Sequence, residues 1–243
     1  LSGDGGDELF MGYGAYKWAE RLNNPLVKFF SPLLRSSLSL SSNRHKRASS
    51  LFEHVEAENQ CSHIFSQEQY LFSRKEIKKL LKPEFYQEFT LNETPNLNKQ
   101  LNPTEKQSLF DFKYYLKDDL LVKVDRASMY YSLETRVPLL DYRIAEFAFN
   151  LPSWMRNRKG ISKYLLKKVL YDFVPEQYFN RPKWGFSVPL QKWLRNELSY
   201  LIEDNLSPEK IKSTGILDFT SVEQLKKNFM DKKQDFLYNR LWQ

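Results

Sequence analysis

The sequence contains very little cysteine or histidine. Its 243 residues include one cysteine, Cys61, and three histidines. A single cysteine excludes an intramolecular disulfide, which fits a reducing compartment such as the cytoplasm, and the side chain is expected to be a small buried apolar group. His45, His54 and His63 are not spaced as zinc ligands, and three histidines give no basis for a Ser–His–Asp arrangement.

Long apolar runs are also missing. No stretch approaches the roughly 20 residues that a membrane helix needs. The first ten residues, LSGDGGDELF, are acidic and glycine-rich, unlike a signal peptide. Apolar residues still make up 41% of the chain and charged residues 28%, in both signs. This composition predicts a soluble globular protein, and with no repeat or linker in sight we expect one domain.

The chain is basic, with a net charge of +7. Such a charge attracts polyanions, and nucleotides are polyanions as much as nucleic acids are. The positive residues are not gathered into one arm, and there is no aromatic RNA-binding signature. Nucleic-acid binding is therefore the weaker interpretation.

Clear alternation of apolar and polar residues is nearly absent, so the chain is predicted to be mostly α-helical. The segment 31–50 is serine-rich and basic, and it is predicted to be a polar connection or a partly ordered helix–loop. Helices are expected over 13–30 and, in short pieces with a capping box at Ser73, over 61–90. A long helix is expected from Thr104, where TEKQ matches a capping box after Pro103, to about 133, with a possible break near Asp118 and Asp119. Further helices are expected over 142–150 after Asp141, over 163–173 after Ser162 and over 189–206, with one or two more in the last forty residues. Loops are expected over 91–103 and 181–189.

The glycines are unevenly distributed. Five of the eight, Gly3, Gly5, Gly6, Gly12 and Gly14, fall within the first fourteen residues. A chain end rarely needs so specialised a loop, so we expect a fragment of a longer protein, with a strand that leads into Leu1.

This loop mixes glycines with three carboxylates, Asp4, Asp7 and Glu8. Glycines allow close approach of a ligand, and successive backbone N–H groups can form a nest for an anion. Carboxylates beside a phosphate would repel it unless a cation lies between, and Mg²⁺ is the natural mediator. A calcium loop is disfavoured because the acidic spacing does not fit an EF-hand. An ordinary glycine-rich turn is the structural alternative.

A lysine occupies an unusual place in the segment KGISKYLLKK. With Ser162 as cap, Lys163 would lie in the first turn of a helix, where the helix dipole disfavours positive charge. A cation there suits a phosphate or a developing negative charge. On spacing alone, a surface lysine in a lysine-rich stretch is the favoured alternative.

Charged residues also interrupt the apolar segment LETRVPLLD. Glu134 and Arg136 point the same way if the segment is extended, and their apolar neighbours predict burial, which requires pairing. We therefore interpret them as a structural ion-pair network at a wall of the site.

Four motifs in series carry a family resemblance: SGDGGDELFMGY, DLLVKVDRASMYYSLETRVPLLD, KGISKYLLKK and NRPKWGFSVPL. Together they resemble the synthetase domain of glutamine-dependent asparagine synthetases. The resemblance implies the C-terminal part of an α/β ATP-pyrophosphatase domain. It also implies a carboxylate substrate, by default aspartate, that is activated by ATP and Mg²⁺ as an acyl-adenylate. Ammonia from glutamine, released by an N-terminal glutaminase domain with a catalytic cysteine, then forms the amide.

The resemblance also implies roles for individual residues. Asp7 matches the Mg²⁺-binding aspartate, and Asp4 stands where asparagine synthetases commonly have a glutamate that acts as a base. Lys163 matches a lysine that stabilises charge developing on the phosphates or the acyl intermediate, and Met11 replaces a glycine. The implied nucleotide-binding set is Ser2, Gly3, Gly5, Gly6, Lys163 and, near a pyrophosphate position, Lys123; the signature also includes Glu134, Arg136, Asp141, Arg181 and Lys183, without assigned roles.

Two parts of the family pattern are missing from these residues. No SGG-x-DS phosphate loop is present, and Cys61 cannot serve as the glutaminase cysteine. We therefore predict that this fragment alone does not catalyse amidation. An amidotransferase acting on a sugar acid or closing a β-lactam ring, and a non-catalytic helical module, are the alternatives.

Overall fold

The computed structural model describes residues 1–40, 43–53, 55, 57–88, 100–179, 188–232 and 234–243. These residues are mostly α-helical, as predicted. Their contacts divide the chain into two compact units: unit 1 is Leu1–Asn24 with Thr94–Trp184, and unit 2 is Pro25–Glu93 with Gly185–Gln243. No helix among the described residues is both long enough and apolar enough to span a bilayer.

The regular elements follow one another in short pieces. In chain order the α-helices are α1 Gly6–Leu9, α2 Ala15–Asn23, α3 Pro25–Ser39, α4 Asn43–Leu51, α5 Gln60–Glu68, α6 Arg74–Leu80, α7 Pro103–Phe110, α8 Leu121–Met129, α9 Tyr142–Asn150, α10 Ser153–Arg156, α11 Tyr164–Tyr171, α12 Leu190–Arg195, α13 Ser199–Asn205, α14 Pro208–Thr214, α15 Phe219–Met230 and α16 Tyr238–Trp242. A π-helix, Asp111–Leu120, joins α7 to α8, and the strands are β1 Asn157–Arg158 and β2 Ile161–Ser162. Short 3₁₀ turns are Ala57–Asn59, Pro83–Phe85, Pro138–Leu140, Glu176–Tyr178 and Asp235–Leu237.

The capping box of α7 lies two residues earlier than the sequence predicted. The Asn102 side chain, not that of Thr104, accepts the Glu105 N–H at 2.9 Å, and Glu105 Oε2 accepts the Asn102 N–H at 3.0 Å. Pro103 then takes the first helical position, where its fixed φ is already helical and its missing N–H costs nothing. The prediction of Thr104 as the cap was wrong because it placed Pro103 before the helix.

The helical run that starts at α7 ends earlier than expected. The break predicted near Asp118 and Asp119 falls inside the π-helix, where the chain stays helical. After Met129, Ser132 adopts a left-handed φ of 56°, and the next N–H, of Leu133, donates to Ser128 O at 3.0 Å. A left-handed residue followed by a hydrogen bond back to the last turn is a common way to end a helix.

The segment before α11 forms a β-hairpin. Asn157 pairs with Ser162 and Arg158 with Ile161, in antiparallel register. Its two turn residues, Lys159 and Gly160, have φ values of 50° and 84°, the pattern of a type I′ turn, whose twist matches that of the strands. Ser162 therefore ends β2 and does not cap a helix, so this prediction was wrong.

The core of unit 1 forms where the glycine-rich loop meets α9. Leu9, Phe10, Ala148 and Leu151 are its buried apolar members. The start of α9 is as predicted, because the Asp141 side chain accepts the Arg143 N–H at 2.9 Å.

In unit 2, α3 and α4 occupy most of the segment predicted to be a polar connection. The serines do not break α3, because their hydroxyls turn back on the preceding helical turn. Ser36 Oγ donates to Pro32 O at 3.0 Å, and Ser37 Oγ donates to Leu34 O at 3.0 Å. Helices therefore cover most of 31–50, as the helix–loop alternative predicted, and the interpretation of this segment as a polar connection was wrong there.

Some of the other predicted helix boundaries in unit 2 are confirmed and others are corrected. The capping box of α6, with Ser73 and Glu76, is confirmed. The single helix predicted over 189–206 is two helices, α12 and α13, which pack with α15 and α16 around Leu194, Ile202, Phe229 and Leu237. The loop predicted over 91–103 lies mostly, and that over 181–189 almost wholly, outside the described residues, as do Arg181 and Lys183.

Candidate active site

The glycine-rich loop turns sharply before α1. Gly5 has a φ of 82°, in the left-handed region that favours glycine, and a β-carbon there would overlap the Leu140 side chain. Asp7 lies in the first turn of α1, and its carbonyl oxygen accepts the Gly12 N–H at 2.7 Å. The chain therefore folds back from Gly12 onto the backbone of Asp7, which fixes the position from which the Asp7 carboxylate projects.

Lys163 is brought to Asp7 from a distant part of the sequence. Its Nζ donates to Asp7 Oδ2 at 2.7 Å, and the two side chains are 28% and 29% exposed. The Lys163 N–H also donates to Phe10 O at 3.0 Å, so backbone and side chain both contact the loop. The two residues that the sequence marked separately, as metal ligand and as catalytic cation, thus form one ion pair.

Gly12 makes room for this pair. A β-carbon at this position would overlap Asp7 Oδ1 and would lie 2.5 Å from Lys163 Cε. No residue other than glycine fits here without moving one of the two side chains. The need for Gly12 is therefore steric.

Glu8 has a different role from the other carboxylates of the loop. It is 1% exposed, and its Oε1 accepts a 2.7 Å hydrogen bond from the Tyr13 hydroxyl. Burial raises the pKa of the Glu8 carboxyl above its usual value, which the Tyr13 hydrogen bond only partly offsets. Ser108 Oγ also donates to the Glu8 carbonyl at 2.7 Å. Glu8 therefore anchors the loop in the core.

Several backbone N–H groups of the loop have acceptors within the chain. The Ser2 N–H donates to Arg136 O at 2.8 Å, the Asp4 N–H to Ser2 Oγ at 3.4 Å and the Gly6 N–H to Gly3 O at 3.3 Å. Ser2 Oγ in turn donates to Asp4 Oδ2. These three N–H groups do not face a ligand here, contrary to the successive free N–H groups that the sequence suggested.

The charged residues of LETRVPLLD are paired, as predicted, but they are not buried. Arg136 Nη2 lies 2.6 Å from Glu134 Oε1, with the side chains 72% and 70% exposed. The prediction of burial was wrong because the segment lies at the surface. Arg143 forms a bidentate pair with Asp141, and its hydrogen bonds lower the pKa of the Asp141 carboxyl to about 2.

The remaining candidates lie apart from these contacts. Lys123 is exposed on α8. Cys61 is half-buried in α5, in unit 2, so it is less enclosed than expected. His63 Nε2 lies 3.0 Å from Ser50 O, and burial lowers the pKa of this histidine. Within the described residues no group of three histidine, cysteine or acidic side chains could hold a metal ion.

Sequence reasoning missed a cleft in unit 1. It has a volume of about 600 Å³, within the range of metabolite sites. Met11, with a left-handed φ of 56° and 1% exposure, belongs to its lining. The resemblance implies a glycine at the position of Met11, and this was the available signal, because glycine is the residue that this backbone conformation favours. Other lining residues are Tyr16, Asn23, Asn102, Ser153, Trp154 and Lys159.

The residues at Asp7 suit a magnesium ion. Oxygen ligands are what Mg²⁺ prefers, and it commonly takes only one or two protein carboxylates together with substrate phosphates and waters. Asp7 Oδ2 already binds a positive charge, the Lys163 ammonium. The Asp7 carboxylate lies in the space that the missing β-carbon of Gly12 leaves open. An oxygen donor that already binds a cation fits the chemistry of a Mg²⁺ ligand.

The comparison with protein families identifies the family of this chain. Residues 1–243 match the family model described as asparagine synthase, so the chain belongs to this family. No solved structure matches it, and the α/β ATP-pyrophosphatase core stays a prediction.

Individual relatives carry the same kind of name. "Asparagine synthetase [glutamine-hydrolyzing] 1" of Bacillus subtilis is 30% identical over 82% of this chain and 32% of its own length. A "putative asparagine synthetase [glutamine-hydrolyzing]" of Mycobacterium tuberculosis is 32% identical over 80% of this chain and 30% of its own length. The human asparagine synthetase is 40% identical over 30% of this chain and 13% of its own length. The chain thus spans about a third of the first two relatives.

Proposed function

We propose that this chain, as part of a longer polypeptide, contributes to the ATP-dependent amidation of a carboxylate, with aspartate to asparagine as the default reaction. The pairing of Asp7 with Lys163 carries the proposal. Names of relatives supply the reaction class, and the ion pair of Asp7 and Lys163 would supply one negative and one positive charge for it.

Each residue has a distinct task in this proposal. The Asp7 carboxylate would hold a Mg²⁺ ion, which when bound shields the negative charge of the ATP phosphates. Lys163 places an ammonium where charge develops as the carboxylate attacks the α-phosphate and pyrophosphate leaves. Gly12, which lacks a β-carbon, leaves room for both side chains. Asp4, held by Ser2, is the proposed base for the amine step.

The missing phosphate loop limits what these residues do alone. Positioning of both reactants supplies a large part of an enzymatic rate, and the SGG-x-DS loop is absent from this sequence. We propose that a glutaminase domain, also outside this sequence, supplies ammonia in the cytoplasm. The isolated 243-residue chain is then expected to show no exchange between pyrophosphate and ATP.

The test is carboxylate-dependent exchange of labelled pyrophosphate into ATP, measured on the full polypeptide that contains this sequence. Aspartate should support exchange, and Lys163→Met should lower its rate about 10²- to 10³-fold, the usual effect of removing a group that stabilises transition-state charge. Lys168→Met, which removes an equivalent charge from the exposed side of α11, is the matched control. Equal rates for both variants would exclude this role for Lys163.

One observation favours a second substrate class. Met11 stands where the resemblance implies a glycine, and it lines the cleft beside the loop. A changed cleft lining is expected if the carboxylate is a sugar acid or the precursor of a β-lactam ring. Exchange that depends on such an acid and not on aspartate would select this alternative, and no exchange with any acid would favour a non-catalytic helical module.

A further inference from the structure

We infer that the Lys163 ammonium occupies the place of the metal cation at Asp7, so that a divalent cation must displace Lys163 when it binds. The inference rests on the proposed function, since it assigns Asp7 to the cation. It adds that one lysine serves in turn as the counter-ion of Asp7 and, once a metal ion is bound there, as a cation beside it.

The two oxygens of the Asp7 carboxylate have different surroundings. Oδ1 is buried and faces Gly12, where a β-carbon would overlap it. Oδ2 is the oxygen that accepts from Lys163 Nζ at 2.7 Å. A cation that approaches from solvent therefore meets the oxygen that Lys163 already holds.

Charge makes simultaneous binding unfavourable. A divalent ion on Oδ2 would lie within a few ångströms of the ammonium, and like charges at that distance repel strongly when partly shielded from water. The Lys163 side chain is only 28% exposed. Exchange of one cation for the other keeps the carboxylate neutralised throughout.

The backbone allows this exchange without disturbing the loop. The N–H of Lys163 is fixed to Phe10 O at 3.0 Å, and its φ of 55° is left-handed. The main chain is thus held independently of the ion pair, and only the flexible side chain has to move. Lys163 then becomes available to an anionic ligand beside the metal. Metal binding at Asp7 and anion binding at Lys163 are therefore linked.

Binding of Mn²⁺, as a probe for Mg²⁺, tests the exchange in the absence of any substrate. Affinity is read from the enhancement of water-proton relaxation by bound Mn²⁺ on purified protein. Lys163→Met should bind Mn²⁺ about tenfold more tightly than the unsubstituted protein, because the competing charge is gone. Lys163→Arg should resemble the unsubstituted protein, and Asp7→Asn should bind most weakly.

Lys168→Met is the matched control. Lys168 is an exposed lysine in the last turn of α11, the helix that follows Lys163. Its substitution should change Mn²⁺ affinity less than twofold. If Lys163→Met misfolds, Lys163→Gln provides the same loss of charge.

Unchanged or weaker Mn²⁺ binding by folded Lys163→Met and Lys163→Gln would overturn the inference, as would Asp7→Asn binding as well as the unsubstituted protein. Because the assay contains neither ATP nor a carboxylate substrate, its outcome is separate from that of the exchange assay. Tighter binding without pyrophosphate exchange would leave the displacement intact and refute the proposed reaction.

Discussion

The backbone N–H of Lys163 donates a 3.0 Å hydrogen bond to the carbonyl oxygen of Phe10. This bond joins the end of the hairpin to the loop that contains Asp7, two segments about 150 residues apart in the chain. The backbone hydrogen bond therefore already holds the two segments side by side where Lys163 and Asp7 form their ion pair. Any change that moves the loop should weaken the pair even if both charges remain.

Gly12→Ala tests this dependence. The added β-carbon would overlap Asp7 Oδ1 and crowd Lys163 Cε, so the pair must shift. We expect a loss of about 1–3 kcal/mol in the free energy of unfolding, typical of overpacking, measured by urea denaturation. Gly3→Ala is the control for stability, because its β-carbon would meet no atom within 4 Å. Equal stability of both variants would contradict the close packing at Gly12.

Glycine substitutions at Met11 and Lys159 should have opposite effects on stability. Both residues have left-handed φ, 56° and 50°, and glycine would relieve about 1 kcal/mol of strain at each. Met11 is 1% exposed, and loss of a buried methionine side chain costs about 2–5 kcal/mol. Met11→Gly should therefore destabilise by about 1–4 kcal/mol, whereas exposed Lys159→Gly should stabilise slightly.

Urea denaturation of the two variants gives the comparison directly. A stabilised Met11→Gly would mean that the strain at this position outweighs its burial. In that case the cleft beside the loop would not depend on the methionine side chain for its shape.

The motifs of the sequence identified Asp7 and Lys163, but not their contact. Each was marked by local chemistry: glycines and carboxylates around Asp7, and a misplaced cation at Lys163. Their pairing depends on the hairpin before α11, and strands of two residues are too short for any alternation to appear. The dipeptide of Lys159 and Gly160, which can form a type I′ turn, was the available signal, but only the helix after Ser162 was predicted there.

Burial of charged residues was the least predictable property. Glu8 and Glu134 both have apolar neighbours in the sequence, yet one is 1% exposed and the other lies at the surface. The difference comes from Tyr13 and Ser108, which hold Glu8 inside unit 1. Such partners come from tertiary packing, which local sequence does not encode.

Glu8→Gln should change how stability depends on pH. Burial raises the pKa of Glu8 in the folded protein above its ordinary value of 4.5, so the unfolded chain loses this proton first as the pH rises. The stability that Glu8 contributes is complete below pH 4.5 and falls as the pH rises through the folded pKa. Glutamine has no charge, so the variant should lose less stability above pH 4.5.

Melting temperature measured from pH 4 to pH 8 checks this expectation. The Tyr13 hydroxyl can still donate to the glutamine oxygen, so the hydrogen bond is retained. Glu146→Gln, at an exposed position on α9, is the control and should follow the unsubstituted protein. Parallel curves for Glu8→Gln and the unsubstituted protein would show that Glu8 does not titrate differently on folding.

Substitutions in the buried ion pair of Glu105 and Arg156 should have non-additive effects on the free energy of unfolding. Arg156 Nη2 lies 3.1 Å from Glu105 Oε1, and the side chains are 0% and 4% exposed. Glu105→Ala leaves the guanidinium uncompensated and should cost about 3–5 kcal/mol in the free energy of unfolding. Adding Arg156→Met removes the stranded charge, so the double variant should be more stable than Glu105→Ala alone. Strictly additive losses in urea denaturation would mean that the two side chains stabilise unit 1 independently.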